Sequence, residues 1–282
     1  MGNAIAEAWQ GGRTMEGAGV RLKRVFGNYQ AESMDPFLLL DNFGSDDPAD
    51  YIAGFPWHPH RGIETVTYML AGDVDHGDSL GNRGTIGAGD VQWMTAGSGI
   101  IHQEMPQPYE GAMRGFQLWV NLPAKDKMMD PRYRGILADE VPELEVEGAK
   151  IKVVAGEIAG TRGPVRDLVI DTAYFDVKVQ PGARSEIPVD GTHTVFAYIF
   201  EGSVSFDEAD RAVDAGTLAL FEKGDSVNFA AVNAAARFLL VSGESLGEPI
   251  AWRGPIVMNT EKELDQAFRE YRDGIFIKHG AV

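Results

Sequence analysis

Cysteine is absent from the 282 residues, which removes disulfides, thiolate metal sites and cysteine nucleophiles together. A metal ion on this chain must therefore sit on His, Asp or Glu. Basic residues are scarce. Twenty-five Lys and Arg stand against 42 Asp and Glu, a formal charge of −17 that repels phosphate backbones and anionic lipid at long range and disfavours direct nucleic-acid binding. Long apolar runs are missing as well: no segment stays apolar for the roughly 18 residues that a membrane helix needs. The stretch from Met1 to Trp9 has no basic run leading into an apolar one, so neither export nor a membrane is expected and a cytoplasmic location is the default. Histidine is rare too, with six in the chain, and that makes each one informative.

What the chain has in quantity is glycine and short apolar segments. With 34 Gly, 14 Pro and 44% hydrophobic residues, runs such as Thr65–Leu70 and Val195–Phe200 are β-branched or aromatic and are bounded by turn residues. Their spacing, close to eight to twelve residues, predicts an all-β sandwich or barrel. One segment differs. Thr260 and Glu263 form a capping-box pattern, and Leu264, Ala267, Phe268 and Tyr271 follow at helical spacing, which predicts a helix over about 260–273 that buries its apolar stripe.

The two halves resemble each other. Glu64–Gly72 followed by Gly87–Met94 is matched by Thr194–Gly202 followed by Asp214–Phe221: a strand ends in Gly, an insert follows, and an Ala-Gly turn launches the next strand. Such a repeat predicts two copies of one β unit, joined in the Pro-, Gly- and acid-rich stretch Asp130–Gly148, with domains at 1–138 and 139–282.

Four of the six histidines fall between positions 58 and 102. His58-Pro59-His60 places two imidazoles at i and i+2, on one face of an extended segment. His102-Gln103-Glu104 repeats that spacing with an imidazole and a carboxylate. Brought together, the two pairs supply three imidazoles and one carboxylate, a ligand set suited to Fe(II), Mn(II), Ni(II) or Cu(II) with open coordination positions. Glu64 competes with Glu104 for the fourth place, because on a straight strand it shares parity with His58 and His60. Spacing alone does not decide. The four residues separating it from His60, about 13 Å of ideal strand, favour Glu104 and leave Glu64 as a neighbouring or surface group. His76 reads as part of a solvated loop, and His193 and His279 as structural or exposed.

Taken together, several segments resemble the pirin family of the cupin superfamily: Asp35–Asp41, His58–Tyr68, Gly89–Pro106, Gln117–Pro123 and Gly254–Thr260. The resemblance spans nearly the whole chain. It implies a bicupin, two tandem antiparallel β-barrels of jelly-roll type, with one divalent metal per chain on His58, His60, His102 and Glu104 of the N-terminal barrel. The ion in the family is usually iron; Ni, Mn, Cu, Co and Zn suit the same donors. Pirins resemble flavonol dioxygenases, several of which open quercetin with O₂ and release carbon monoxide. Animal members look instead like nuclear, redox-sensitive transcription cofactors, and some bacterial ones like partners of metabolic enzymes. An offset of 130 places Pro188, Asp190 and Thr194 where His58, His60 and Glu64 stand, so the second barrel lacks the ligand pattern.

In this reading Glu104 both holds the ion and accepts a proton from the substrate hydroxyl. The substrate is a flavonol-like small molecule used with O₂. Candidate pocket walls are Phe55, Trp57, Trp93, Met94, Met105 and Phe116, with Arg61, Gln92 and Gln117 as polar contacts or supports for the ligand imidazoles; a surface salt bridge is an equal reading of Arg61. Gly62, Gly97 and Gly99 are expected in turns at the barrel rim. A metal-dependent regulatory protein with a protein partner is the alternative, and a cavity of at least about 300 Å³ beside the ion distinguishes an enzyme from it.

Overall fold

Alternating apolar and polar residues build antiparallel sheets almost throughout this computed structural model, which describes residues 3–108, 111–206 and 211–279. In chain order, β1 is Ile5–Gln10, β2 Gly12–Glu16, β3 Val20–Phe26, β4 Phe37–Ser45, β5 Phe55–His60 and β6 Ile63–Ala71. Then follow β7 Val74–Asp78, β8 Arg83–Ile86, β9 Val91–Thr95, β10 Ile100–Pro106, β11 Met113–Asn121 and β12 Arg132–Ile136. The second series is β13 Glu143–Val146, β14 Ala149–Ala155, β15 Glu157–Ile158, β16 Thr161–Arg162, β17 Thr172–Val179, β18 Arg184–Pro188 and β19 Thr194–Glu201. It ends with β20 Ser203–Ser205, β21 Ala212–Asp214, β22 Thr217–Phe221, β23 Ser226–Ala231, β24 Ala236–Gly243, β25 Ala251–Arg253, β26 Ile256–Met258 and the helix α1, Glu261–Arg272. Among the described residues no helix is long and apolar enough to cross a membrane.

The chain divides into two compact units. One holds Gly12–Ala138 with the segment from Leu246 onward; the other holds Asp139–Ser245 with the segment that ends at Gly11. Two contiguous halves, 1–138 and 139–282, are therefore not the arrangement. The unit changes at Ala138, but each terminal segment belongs with the more distant half of the chain. For the N-terminus the cause is a strand pairing, β1 running antiparallel along the edge strand β22.

The internal repeat extends to strand order, with one exception at a sheet edge. The first unit has a seven-stranded sheet, β12-β9-β6-β11-β4-β3-β2, and a four-stranded sheet, β5-β10-β7-β8. In the second, β22-β19-β24-β17-β14-β13 and β18-β23-β20-β21 repeat these orders, while the edge place that β12 holds beside β9 is taken beside β22 by β1, from the start of the chain. Each unit is thus a jelly-roll pair of antiparallel sheets. Inward faces of the second unit carry one aliphatic and aromatic cluster that includes Ile151, Val177, Ile187, Val227, Phe229 and Phe238. The first unit is split. One apolar cluster gathers Leu22, Phe43, Met69 and Met113, a second gathers Leu38, Ile63, Met94 and Val257, and polar side chains lie inside the unit as well.

The helix forms where its caps lie. Thr260 accepts from the Glu263 amide while the Glu263 carboxylate accepts from the Thr260 amide, and Leu264 and Ala267 are buried. A cap of this kind contributes roughly 1 kcal/mol.

Candidate metal centre

Strand β5 runs antiparallel to β10 with His58 opposite His102 and His60 opposite Ile100. On its other side β10 pairs with β7, placing Asp78 beside His102 and His76 beside Glu104. Because cross-strand partners point to one side of a sheet, this register turns His58, His60, His102, Glu104, His76 and Asp78 to a common face. The donor atoms of His58, His60 and His102 all lie within 4.8 Å of one another.

Hydrogen bonds fix the tautomers of two of these rings. His58 Nδ1 lies 2.9 Å from the Pro56 carbonyl and His60 Nδ1 lies 3.1 Å from the Pro255 carbonyl. A carbonyl only accepts, so each Nδ1 carries a proton and, in the neutral ring, each Nε2 is a bare lone pair. These two Nε2 atoms face each other at 3.1 Å. Two lone pairs at that separation repel unless a cation lies between them, and about 3 Å is the donor separation expected for metal–nitrogen bonds of about 2.1 Å. His102 is 0% exposed, and neither of its ring nitrogens has a hydrogen-bond partner. Burial first, then the neighbouring imidazoles, hold His60 and His102 well below the usual histidine range, with only the Pro255 carbonyl opposing the shift at His60. They are therefore neutral, as metal ligands must be. These residues fit a metal ion.

Glu104 is buried and stands apart from the three clustered imidazoles. Its Oε1 accepts the Thr67 hydroxyl at 2.9 Å, and the same hydroxyl lies 3.3 Å from Gln117 Oε1. Glu64 is buried elsewhere. It accepts from Thr95 Oγ1 at 2.5 Å and lies 3.6 Å from Arg134, on the face of β6 opposite to Thr67. The corner at Arg61–Gly62 between β5 and β6 breaks the straight-strand parity that made Glu64 a competitor.

Beside Glu104 opens a cleft lined by Thr67, Gln117, Phe55, Phe43, Val74 and Met113 among others. Its cavity volume is about 20 Å³ within an opening of about 290 Å³ that includes bulk solvent, room for water rather than for a ring system. Of the expected wall residues, Phe55 and Gln117 line it. The others do not. Trp57 is 50% exposed, on the outside of β5 with its ring edge over Gly77. Trp93 and Phe116 are buried on the faces of β9 and β11 that point away from Gln92 and Gln117, Met105 lies on the outer face of β10, and Met94 packs with Leu38, Ile63 and Val257. Gln92 is buried towards the Tyr133 hydroxyl.

Arg61 is the largest departure from expectation. Its guanidinium is buried and points away from the cleft, donating to Glu270 at 2.8 Å and to the Phe276 carbonyl at 2.9 Å, with the Phe276 ring 4.2 Å from its central carbon. Burial alone would raise the Glu270 carboxyl. Hydrogen bonds from Lys278, Gln266 and Arg61, with the Arg61 charge, outweigh that and lower it to about 2.

Two residues were missed. His76 is no solvated loop residue: it is buried, its Nε2 3.3 Å from Asp78, its ring stacked on Tyr133 and 5.5 Å from that of His102. The i, i+2 spacing of His76 and Asp78, the same as in the two metal-site pairs, is the signal that would have found it. Lys127, buried against the Gly62 carbonyl, carries no local signal at all.

Comparison with known proteins now bears on this geometry. The family model described as pirin matches residues 19–120, and the pirin C-terminal cupin domain matches residues 174–277. The chain belongs to the pirin family. Human pirin is 40% identical over 262 residues, covering 92% of this chain and 88% of its own. A Pseudomonas aeruginosa pirin relative, provisionally named a quercetin 2,3-dioxygenase, is 47% identical over 277 residues, 96% of this chain and 97% of its own. Among solved structures, quercetin 2,3-dioxygenase from Acinetobacter baumannii superposes with a TM-score of 0.90 at 33% identity, covering 98% of this chain and 99% of that one. The pirin fold and an imidazole cluster that fits a metal ion are thus common ground between sequence and structure.

Proposed function

We propose that the chain is a metal-dependent dioxygenase that cleaves quercetin or a related flavonol with O₂ and releases carbon monoxide. In this reading His58, His60, His102 and Glu104 hold one divalent ion, with Fe(II) first among the metals. The observation that carries it is the pair of bare Nε2 lone pairs 3.1 Å apart, next to a cleft whose polar end is Glu104, Thr67 and Gln117 and whose walls are otherwise apolar. The names of the P. aeruginosa and A. baumannii relatives support it.

When bound, a divalent ion supplies Lewis-acid and redox chemistry. The residues do the rest. Pro56 and Pro255 carbonyls hold the His58 and His60 rings with Nε2 inward, which fixes the donor geometry before any ion arrives. Thr67 donates to Glu104 Oε1, orienting the carboxylate and leaving its second oxygen for the ion or for the proton of the substrate hydroxyl. Gln117 offers a carboxamide to a ring hydroxyl, while Phe55, Phe43, Val74 and Met113 exclude water. A flavonol enters only if side chains lining the cleft move.

The narrowness of the cleft favours a second reading: an iron-dependent, redox-sensing regulatory protein acting through a protein partner. The acidic surface suits a basic partner. Headspace carbon monoxide separates the two. Protein loaded with Fe(II), Ni(II), Mn(II) or Cu(II) is given quercetin and O₂, with His58→Ala as control. Carbon monoxide that depends on His58 is the expected result; none from metal-loaded protein discards the dioxygenase and leaves the regulatory reading.

A further inference from the structure

Lys127 is buried where an ammonium is costly. It is 1% exposed, and no carboxylate among the described residues lies within ion-pair distance of it. Burial pulls it down to about 7, with Glu248 and Glu263 opposing at longer range. An apolar side chain of similar volume would generally serve stability as well or better at such a position. What the ammonium has that a methionine lacks is three donors, and all three are used: Nζ donates to the Gly62 carbonyl at 2.9 Å, to Asn121 Oδ1 at 2.6 Å and to the Val257 carbonyl at 3.1 Å.

Those acceptors are not arbitrary. Gly62 lies two residues past His60. Val257 lies two residues past Pro255, the residue whose carbonyl holds His60 Nδ1. Between them the Val257 amide donates to the Arg61 carbonyl at 3.1 Å, and Arg61 forms a parallel bridge with Ile256. The approach is so close that a Cβ on Gly62, which has φ +78°, would lie 1.9 Å from the Val257 carbonyl oxygen. The Gly62 and Val257 carbonyls share one donor here. Lys127 supplies it and closes a ring that runs from His60 through Arg61 and Gly62, across Nζ to Val257, and back through Ile256 and Pro255 to the His60 imidazole. His58 has no such dependence, since its carbonyl partner Pro56 comes from its own strand.

We infer that Lys127 is a positioning residue of the metal centre: by clasping Gly62 and Val257 it holds the Pro255 carbonyl against His60 Nδ1 and so presets the His60 Nε2 lone pair. The inference rests on the metal-site reading and extends the centre to the segment 255–257.

The test uses the full chain and Zn(II), whose closed shell permits NMR. In Lys127→Met, Zn(II) affinity measured by chelator competition is expected to fall about 10- to 100-fold, as for loss of an outer partner of a ligand imidazole. The slowly exchanging Nδ1 proton of His60 should vanish from the ¹⁵N-resolved imidazole spectrum of the Zn(II)-loaded variant while that of His58 persists. Affinity within twofold of wild type, or loss of both imidazole protons together, overturns the inference, because either leaves Lys127 a merely structural clasp. Should Lys127→Met fail to fold, the wild type decides: by reciprocity of coupling, Zn(II) must slow exchange of the Val257 amide by about tenfold or more, and unchanged exchange overturns it. A wild-type chain that binds no divalent ion sinks the metal reading itself, a result distinct from a wild type that binds and a variant that binds equally.

Discussion

In the unit built on Gly12–Ala138, strands β5 and β10 turn His58, His60 and His102 inward; in the unit built on Asp139–Ser245, the equivalent β18 and β23 turn Ile187, Val227 and Phe229 inward. Strand order is the same in both except at the edge held by β12 in one and β1 in the other. Pro188 closes β18, and Asp190 lies in the loop beyond it, its carboxylate accepting from Thr192. The difference teaches what a polar interior requires. Each imidazole or carboxylate taken from water needs a partner, and the first unit provides them one by one: the Pro56 and Pro255 carbonyls, the Thr67 hydroxyl, Asp78 for His76. On the matching strands the second unit has no such groups: its buried carboxylate, Asp176, lies on β17 and is paired with Arg237. Between its sheets it relies on contiguous apolar burial, worth about 25 cal/mol for each Å² removed from water.

Mutations can break this contrast. The largest effect is expected from His102→Ala, which removes a ligand from the middle of the cluster. Bound metal by elemental analysis should fall to background, an affinity loss above the 10- to 100-fold range (on the order of magnitude seen for outer partners), while far-ultraviolet circular dichroism stays β-type. Retained stoichiometric metal would mean that the imidazole cluster is not the site. Next, Glu104→Gln keeps the shape and removes the base. Turnover of the proposed flavonol reaction should drop about 10²- to 10⁴-fold and metal content much less; equal loss of both would make Glu104 only a ligand. Third, the reverse experiment in the apolar unit, Phe229→Ala, should cost about 3–5 kcal/mol in denaturant unfolding with metal per folded chain unchanged.

The smallest effect is a pH dependence in the unit that holds the imidazole cluster. Glu270 is lowered from about 4.5 to about 2, so the folded state binds fewer protons than the unfolded one between those values. Its contribution to stability is fully present above pH 4.5 and is lost as pH falls through 2. In Glu270→Gln the melting temperature should fall less steeply across that window than in wild type. Parallel slopes would show that the Arg61–Glu270 pair carries no net stability.

Residues whose role follows from local spacing were legible. The strands, the Gly-terminated repeat and the capping box of α1 come from periods of two and 3.6 and from turn chemistry, which are properties of neighbours in sequence. The His58, His60 and His102 cluster was legible for the same reason, because i, i+2 pairs on β5 and β10 need only adjacency of those strands. Arg61 was misread. It sits at a corner where alternation stops, and its partners Glu270 and Phe276 lie 209 and 215 residues away. Trp93 and Phe116 missed the cleft on parity: each adjoins a residue that does face inward, Gln92 and Gln117, and a shift of one position reverses the face. His76 failed because Asp and Gly around it read as a turn, although the tertiary pairing with β10 makes it strand.

The amino-acid sequence alone determined the all-β class, the twofold repeat, the helix and the identity of three converging imidazoles, since each depends on the chemistry and spacing of residues close along the chain. Only the tertiary structure decided which terminal segment joins which unit, that the Pro255 carbonyl orients His60, and that Lys127 and Arg61 serve the segment behind the imidazoles rather than the cleft in front of them. Those contacts join residues far apart in sequence, and they form because buried donors and acceptors must find partners wherever the completed sheets bring them.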